Sequence, residues 1–184
     1  MYINAILMFF LTIFRRGENI LNNYIIGEAN RCLQCKKPMC SMGCPIATPI
    51  KEAIALLLDS KISEAGAMLF ENNPLSLICA YVCPQENQCE GHCVLGKKGS
   101  PIYISGIEKY ISDFYFNLNK PQPSTKASGK VAVVGAGPAG LTMALILAQK
   151  NYDVTIFESN RKIGGILRYG IPEFRLPRAS LDKF

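Results

Sequence analysis

Cys32-Leu33-Gln34-Cys35-Lys36-Lys37-Pro38-Met39-Cys40-Ser41-Met42-Gly43-Cys44-Pro45 brings four thiols into one short loop-rich stretch. A second group follows as Cys79-x3-Cys83-Pro84-x4-Cys89-x3-Cys93. Together they use all 8 cysteines of the 184-residue chain, which has a single histidine. Thiolates at such short spacings turn toward a common centre, and cysteine runs followed by proline are the pattern of [4Fe–4S] binding. In two-cluster proteins the last cysteine of a run often serves the other cluster. Zinc is the competing reading, since two four-thiolate sites would also use eight cysteines. Zinc favours paired Cys-x2-Cys knuckles, and only Cys32/Cys35 forms one, so the spacing favours iron–sulfur. His92 lies among the thiols and reads as a loop histidine rather than a ligand.

A disulfide scaffold would need an export signal and an oxidising compartment. Met1 to Phe14 is apolar, but no Lys or Arg precedes it, and it is shorter than the roughly 20 residues of a bilayer span. A cytoplasmic protein with metal-binding thiols is expected, with no membrane association. The formal charge of +6 is a mild excess that gives little support for a nucleic-acid partner.

Outward from the cysteines, residues 1–21 read as an atypical apolar segment, 22–116 as a helical iron–sulfur domain, and 117–129 (NLNKPQPSTKASG) as a linker. Thr48-Pro49 suits the start of a helix that places Ile50, Ala53, Ile54, Leu57 and Leu58 on one face. Ser63 is placed to cap a second helix through Phe70, ended by Asn73-Pro74. Ser105 is placed to cap a third, with Ile107, Tyr110, Ile111, Phe114 and Leu118 on one face. Ser105-x-x-Glu108 also has the form of a capping box.

Residues 130–184 change character. Lys130–Val134 and Asp153–Phe157 read as buried parallel strands around an apolar helix from Pro138 to Lys150, a βαβ unit. Between the first strand and the helix stands Gly135-Ala136-Gly137-Pro138-Ala139-Gly140. The first glycine permits the tight turn, the second lets the backbone approach a pyrophosphate, and the third lets helix and strand pack closely. The helix N-terminus stabilises the phosphate charge. Glu158 ends the second strand, where an acid binds ribose hydroxyls and disfavours a 2′-phosphate; FAD and NAD both fit. Gly164-Gly165 reads either as a close approach to a cofactor or as an ordinary turn.

The cysteine groups, VAVVGAGPAG and IGGILRYGIPEFRLP, in this order, resemble the small subunit of bacterial NADPH-dependent glutamate synthase. They are similar also to the large subunit of NADH-dependent ferredoxin:NADP oxidoreductase and the N-terminal part of dihydropyrimidine dehydrogenase. The resemblance runs from about Glu28 to the C-terminus. It implies an α-helical, ferredoxin-like domain with two [4Fe–4S] clusters followed by a truncated Rossmann-type FAD-binding unit. It further implies an NAD(P)H-dependent oxidoreductase passing electrons to a large catalytic partner subunit, of glutamate synthase type. Ferredoxin-coupled, pyrimidine-reducing and purely electron-carrying roles are the alternatives. By motif, one cluster would use Cys32, Cys35, Cys40 and Cys93. The other would use Cys44, Cys83, Cys89 and Glu108, leaving Cys79 a bystander, or the substitute if Glu108 only caps its helix. FAD would meet Gly135 to Gly140, Glu158, Gly165, Ile166 and Arg175; Arg168 and Arg178 would lie on a solvated loop face. No catalytic residue is assigned. The NADPH site would lie beyond Phe184, so the chain is expected to be a fragment, inactive alone toward NADPH.

Overall fold

A computed structural model describes residues 22–118 and 128–184. The expected apolar segment 1–21 and most of the expected linker lie outside the described residues.

Residues 22–30 form helix α1. There follow α2 (Met39–Met42), α3 (Ile50–Leu58), α4 (Ile62–Asn72), α5 (Ser76–Val82) and α6 (Ile104–Leu118), with 3-10 turns at Gln85–Asn87 and Val94–Lys97. No strand occurs among the described residues of this half. The apolar stripe of α3 behaves as its spacing demands: Ile50, Ala53, Ile54 and Leu57 are buried, and they meet Leu69 of α4 and Ile104, Ile107 and Ile111 of α6 in one core. Burial at helical spacing, rather than intrinsic propensity, stabilises helices this short.

The helix starts differ from expectation. Helix α3 begins after Thr48, whose side chain makes no capping bond. Its hydroxyl instead shares a 3.2 Å hydrogen bond with the Cys44 thiol. Helix α4 begins at Ile62, so Ser63 lies inside it, also without capping. On α6 the buried stripe runs through Ile104, Ile107 and Ile111, while Leu118 is exposed. The last turn of α6 uses Tyr115 and Phe116 against Phe70 of α4.

Beyond residue 128, β1 (Lys130–Val134), α7 (Pro138–Gln149) and β2 (Asp153–Phe157) follow. The strands pair in parallel, from Lys130 opposite Asp153 to Val134 opposite Phe157. Short helices α8 (Ile166–Tyr169) and α9 (Arg178–Leu181) complete the described chain. The strands were expected to be buried on both faces. Instead exposure alternates along each, and Val134 and Phe157 lie open. The cause is that helix α7 packs on this two-stranded sheet while nothing among the described residues covers the outward side chains.

The halves share a core. Leu75 and Ile78 of the helical half pack with Ala136, Leu141, Leu167, Leu176 and Leu181. The Phe116 and Phe184 rings lie 4.7 Å apart, and Lys183 is paired with Asp113.

Candidate functional site

The eight cysteines are all free thiols, and they gather in two cavities. The first is lined by Cys32, Cys35, Cys40 and Cys93, with Leu33, Met39, Ile50, Ile54 and Leu95 as apolar wall. Cys93 comes from the second sequence group and joins three thiols of the first. The second cavity is lined by Cys44, Cys79, Cys83 and Cys89 together with Glu108, and walled by Pro45, Ile46 and Ile50. The two groups are thus interleaved: each cavity takes thiols from both. Among the described residues, no three His, Cys, Asp or Glu side chains converge on a single ion position. His92 lies outside both cavities; its Nδ1 meets the Gln88 carbonyl at 2.6 Å.

Burial and, at Cys79 and Cys83, hydrogen bonding set the protonation of these groups. Burial raises the Cys32 and Cys40 thiols above their ordinary value and, with the Glu108 charge next in size, pushes Cys89 up to about 12. Glu108 is pushed up to about 8, first by burial and then by the neighbouring Cys79. Cys79 is held down at about 6, because the Cys83 thiol donates to it and Asn73 adds a second donor; the Asn73 amide lies 3.2 Å from the Cys79 sulfur. Cys83 is raised as the donating partner. Thiols buried against ionisation become ligands once a cation shares the cavity, since the cation stabilises the thiolate that burial disfavours.

The capping-box reading of Ser105 and Glu108 is corrected by a residue outside the motif. The Ser105 amide and hydroxyl both donate to Glu90 Oε1, at 2.8 and 2.7 Å. Glu90 caps α6, and the Glu108 carboxyl faces the second cavity instead. Glu90 lies 15 residues upstream, beyond any local capping signature.

In the dinucleotide half the glycines sit where a side chain would be strained, crowded or in open space. Gly135 has φ +93°, in the region that favours glycine. A Cβ at Gly140 would lie 1.9 Å from the Gly135 carbonyl oxygen, so helix and loop pack too closely for alanine. Gly137 has open space where a Cβ would be, and Pro138 opens α7. Gly164-Gly165 serves the loop itself: the Gly164 amide donates to the Ala136 carbonyl at 2.8 Å, and a Cβ at Gly165 would come within 2.8 Å of Gly137 Cα. Ile166, beside it, is exposed. Glu158 accepts from the Ala136 amide and the Asn160 amide, each at 2.8 Å. The hydrogen bonds from Asn160 and Ala136 hold its carboxyl down at about 2.

The arginines depart from expectation. Arg168 is buried, donates to the Ile163 carbonyl at 2.6 Å and pairs with Asp182. Arg178 donates to the Leu167 and Ile171 carbonyls, both at 2.9 Å. Both brace the loop after β2, because a guanidinium fork satisfies several carbonyls that no strand or helix pairs. Arg175 reaches across to the helical half, where its Nη2 meets the Val82 carbonyl at 3.2 Å, one residue before Cys83.

Two thiol-lined cavities in a helical module, packed against a glycine-loop βαβ unit, define an iron–sulfur protein joined to a dinucleotide-binding fold. The chain belongs to the family described as dihydropyrimidine dehydrogenase domain II, 4Fe-4S cluster, which matches residues 14–120. Residues 133–179 match an NAD(P)-binding Rossmann-like domain. Among curated relatives, the NAD-dependent dihydropyrimidine dehydrogenase subunit PreT of Escherichia coli K12 is 42% identical over 159 residues, covering 85% of this chain and 39% of the relative. The glutamate synthase [NADPH] small chain of Halomonas elongata is 38% identical over 159 residues, 85% of this chain and 34% of the relative. That of Azospirillum brasilense is 36% identical over 160 residues, 85% and 33%. The chain therefore spans between 33% and 39% of the length of these relatives. No helix among the described residues is long and apolar enough to cross a membrane.

Proposed function

We propose that this chain is the electron-relay part of an NAD(P)H-dependent oxidoreductase subunit, holding two [4Fe–4S] clusters and the phosphate and ribose end of FAD. The observation that carries this reading is the interleaving of the thiols, four in one cavity and four with Glu108 in the other. A single zinc ion needs its sulfurs around one point about 2.3 Å away, whereas a cubane gives each thiolate an iron of its own. The x3 and x4 gaps and the prolines after Cys44 and Cys83 favour the cubane.

The first cluster would be held by Cys32, Cys35, Cys40 and Cys93, and the second by Cys44, Cys83, Cys89 and Glu108. The Asn73 amide already donates to the Cys79 sulfur at 3.2 Å, which supports its bystander role. The bound groups would supply one-electron relay and, at the flavin, exchange between two-electron and one-electron chemistry. Gly135 to Ala139, with Gly140 behind them, would seat the pyrophosphate. Glu158 would exchange its bond to Ala136 for the ribose hydroxyls, and Gly165 and Ile166 would flank the cofactor. Arg175 would brace the cofactor side against the Cys83 loop.

The electrons would pass to a catalytic partner subunit. A partner of glutamate synthase type is expected from the sequence motifs, and the likeness to PreT at 42% identity favours a pyrimidine-reducing partner as the second reading. Anaerobic reconstitution tests the core of the reading. About eight irons per chain, with low-temperature EPR signals of two four-iron clusters after reduction, are expected; a colourless protein with stoichiometric zinc would overturn it. Supplying the reduced full-length protein with each partner in turn separates glutamate formation from pyrimidine reduction.

A further inference from the structure

The two cavities face different surroundings. The second shares helix α5 with the dinucleotide half: Cys79 lies in α5 and Cys83 caps it, while Leu75, which precedes α5, and Ile78 within it belong to the core shared with the glycine loop. No residue lining the first cavity belongs to that core. Among the described residues, the first cavity is therefore the one that the dinucleotide half leaves uncovered.

Its rim has a distinctive charge. The segments 29–51 and 91–107, which supply most of the first cavity's lining, contain Arg31, Lys36, Lys37, Lys51, Lys97 and Lys98, and the acids that flank them, Glu28, Glu52, Glu90 and Glu108, are engaged by Arg31, by Lys51, by Ser105 and at the second cavity. Arg31 is neutralised by Glu28 and Lys51 by Glu52. Lys36, Lys37, Lys97 and Lys98 are exposed and take part in no ion pair among the described residues. Close in sequence to these lysines, Leu33 and Met39 line the cavity and stand 62% and 38% exposed. An apolar centre within a charged rim is the anatomy of a protein-docking patch. Uncompensated charge of one sign selects a partner of the other sign and speeds its approach.

We infer that the face around Cys32, Cys35 and Cys93 docks an electron-transfer partner whose own redox centre is ringed by acidic side chains. This deepens the proposed function, since it rests on the first cavity holding a redox centre. Phosphate-rich polymers carry the same sign of charge, but the exposed Leu33 and Met39 favour a protein.

Two acceptor proteins of opposite charge test it: plastocyanin, an acidic copper protein, and cytochrome c, a basic haem protein. The iron-loaded chain is reduced with dithionite and desalted. It then gives one electron to cupric plastocyanin, making it cuprous, or to ferric cytochrome c, making it ferrous. At an ionic strength of about 10 mM, plastocyanin should react about ten-fold or more faster than cytochrome c, and at about 500 mM, where the Debye length shrinks to a few ångströms, the preference should collapse. Lys36→Glu/Lys37→Glu should abolish or reverse it, while Lys150→Glu, on the other half, should leave it. The dissociation constant of the oxidised pair, in which no electron moves, should follow the same order. Equal rates for the two acceptors, or an equal effect of Lys150→Glu, would overturn the inference. Failure to load iron would instead overturn the proposed function beneath it.

Discussion

Two effects act on Glu108 in the same direction, burial and the neighbouring Cys79. Its carboxyl is buried beside the Cys79 sulfur, which holds it protonated up to about pH 8 against an ordinary value of 4.5. A group whose folded value is raised contributes stability that is full below its unfolded value and is lost as pH rises through the folded one. Protein stripped of iron by a chelator should therefore melt at a higher temperature at pH 5 than at pH 8.5, and Glu108→Gln should reduce that difference. A melting profile with the same pH slope in both proteins would refute the assignment. At the glycine loop, Gly140→Ala forces a Cβ to within 1.9 Å of the Gly135 oxygen. Overpacking of this kind costs about 1–3 kcal/mol, read as a lower melting temperature and weaker FAD retention. The role of Gly140 was legible in the sequence because it follows from a local motif. The true cap of α6 was not: Glu90 reaches Ser105, 15 residues further along the chain, a contact that only tertiary folding creates.

At the scale of elements, regular periodicity was legible and short irregular pieces were not. The bounds of β1 and β2 match expectation, and α3 follows its apolar stripe, because in each case one period dominates. Helix α5 escapes such reading. It buries Ser76, Leu77, Ile78 and Ala80, facing α6 on one side and the dinucleotide core on another, so no single apolar face marks it. Its seat against α6 includes a polar contact, Ser76 Oγ to Ser112 Oγ at 2.9 Å, with both residues 1% exposed. Ser112→Ala should leave the Ser76 hydroxyl without its partner and cost about 1–3 kcal/mol, whereas Ser76→Ala/Ser112→Ala together should cost less than the sum of the single changes. Chemical denaturation of the four proteins measures this. Additive costs would mean that the hydroxyl pair is not coupled.

For the whole molecule, the central question is how eight thiols are divided. Sequence proximity alone suggests one centre per cysteine group; the fold distributes them otherwise, because the chain returns Cys93 to the loop of Cys32 while Cys44 turns away toward Cys83 and Cys89. The tendency of a run's last cysteine to serve the other cluster hinted at such sharing, but the full division came beforehand from family resemblance, since spacing says nothing of how two distant loops close on one another. Paired substitutions distinguish the two arrangements. Cys35→Ala/Cys93→Ala joins residues from different sequence groups but one cavity, and should retain about four of about eight irons. Cys35→Ala/Cys44→Ala joins residues of one sequence group but two cavities, and should lose both clusters. Were each group to build its own cluster, the outcomes would exchange: the first pair would lose all iron and the second only half. Iron analysis with EPR of the reduced proteins reads the result, and far-UV circular dichroism shows that the helices persist. The same experiment bears on electron relay. Interleaving would tie each cluster to both loops, so that the fold positioning one would also position its neighbour.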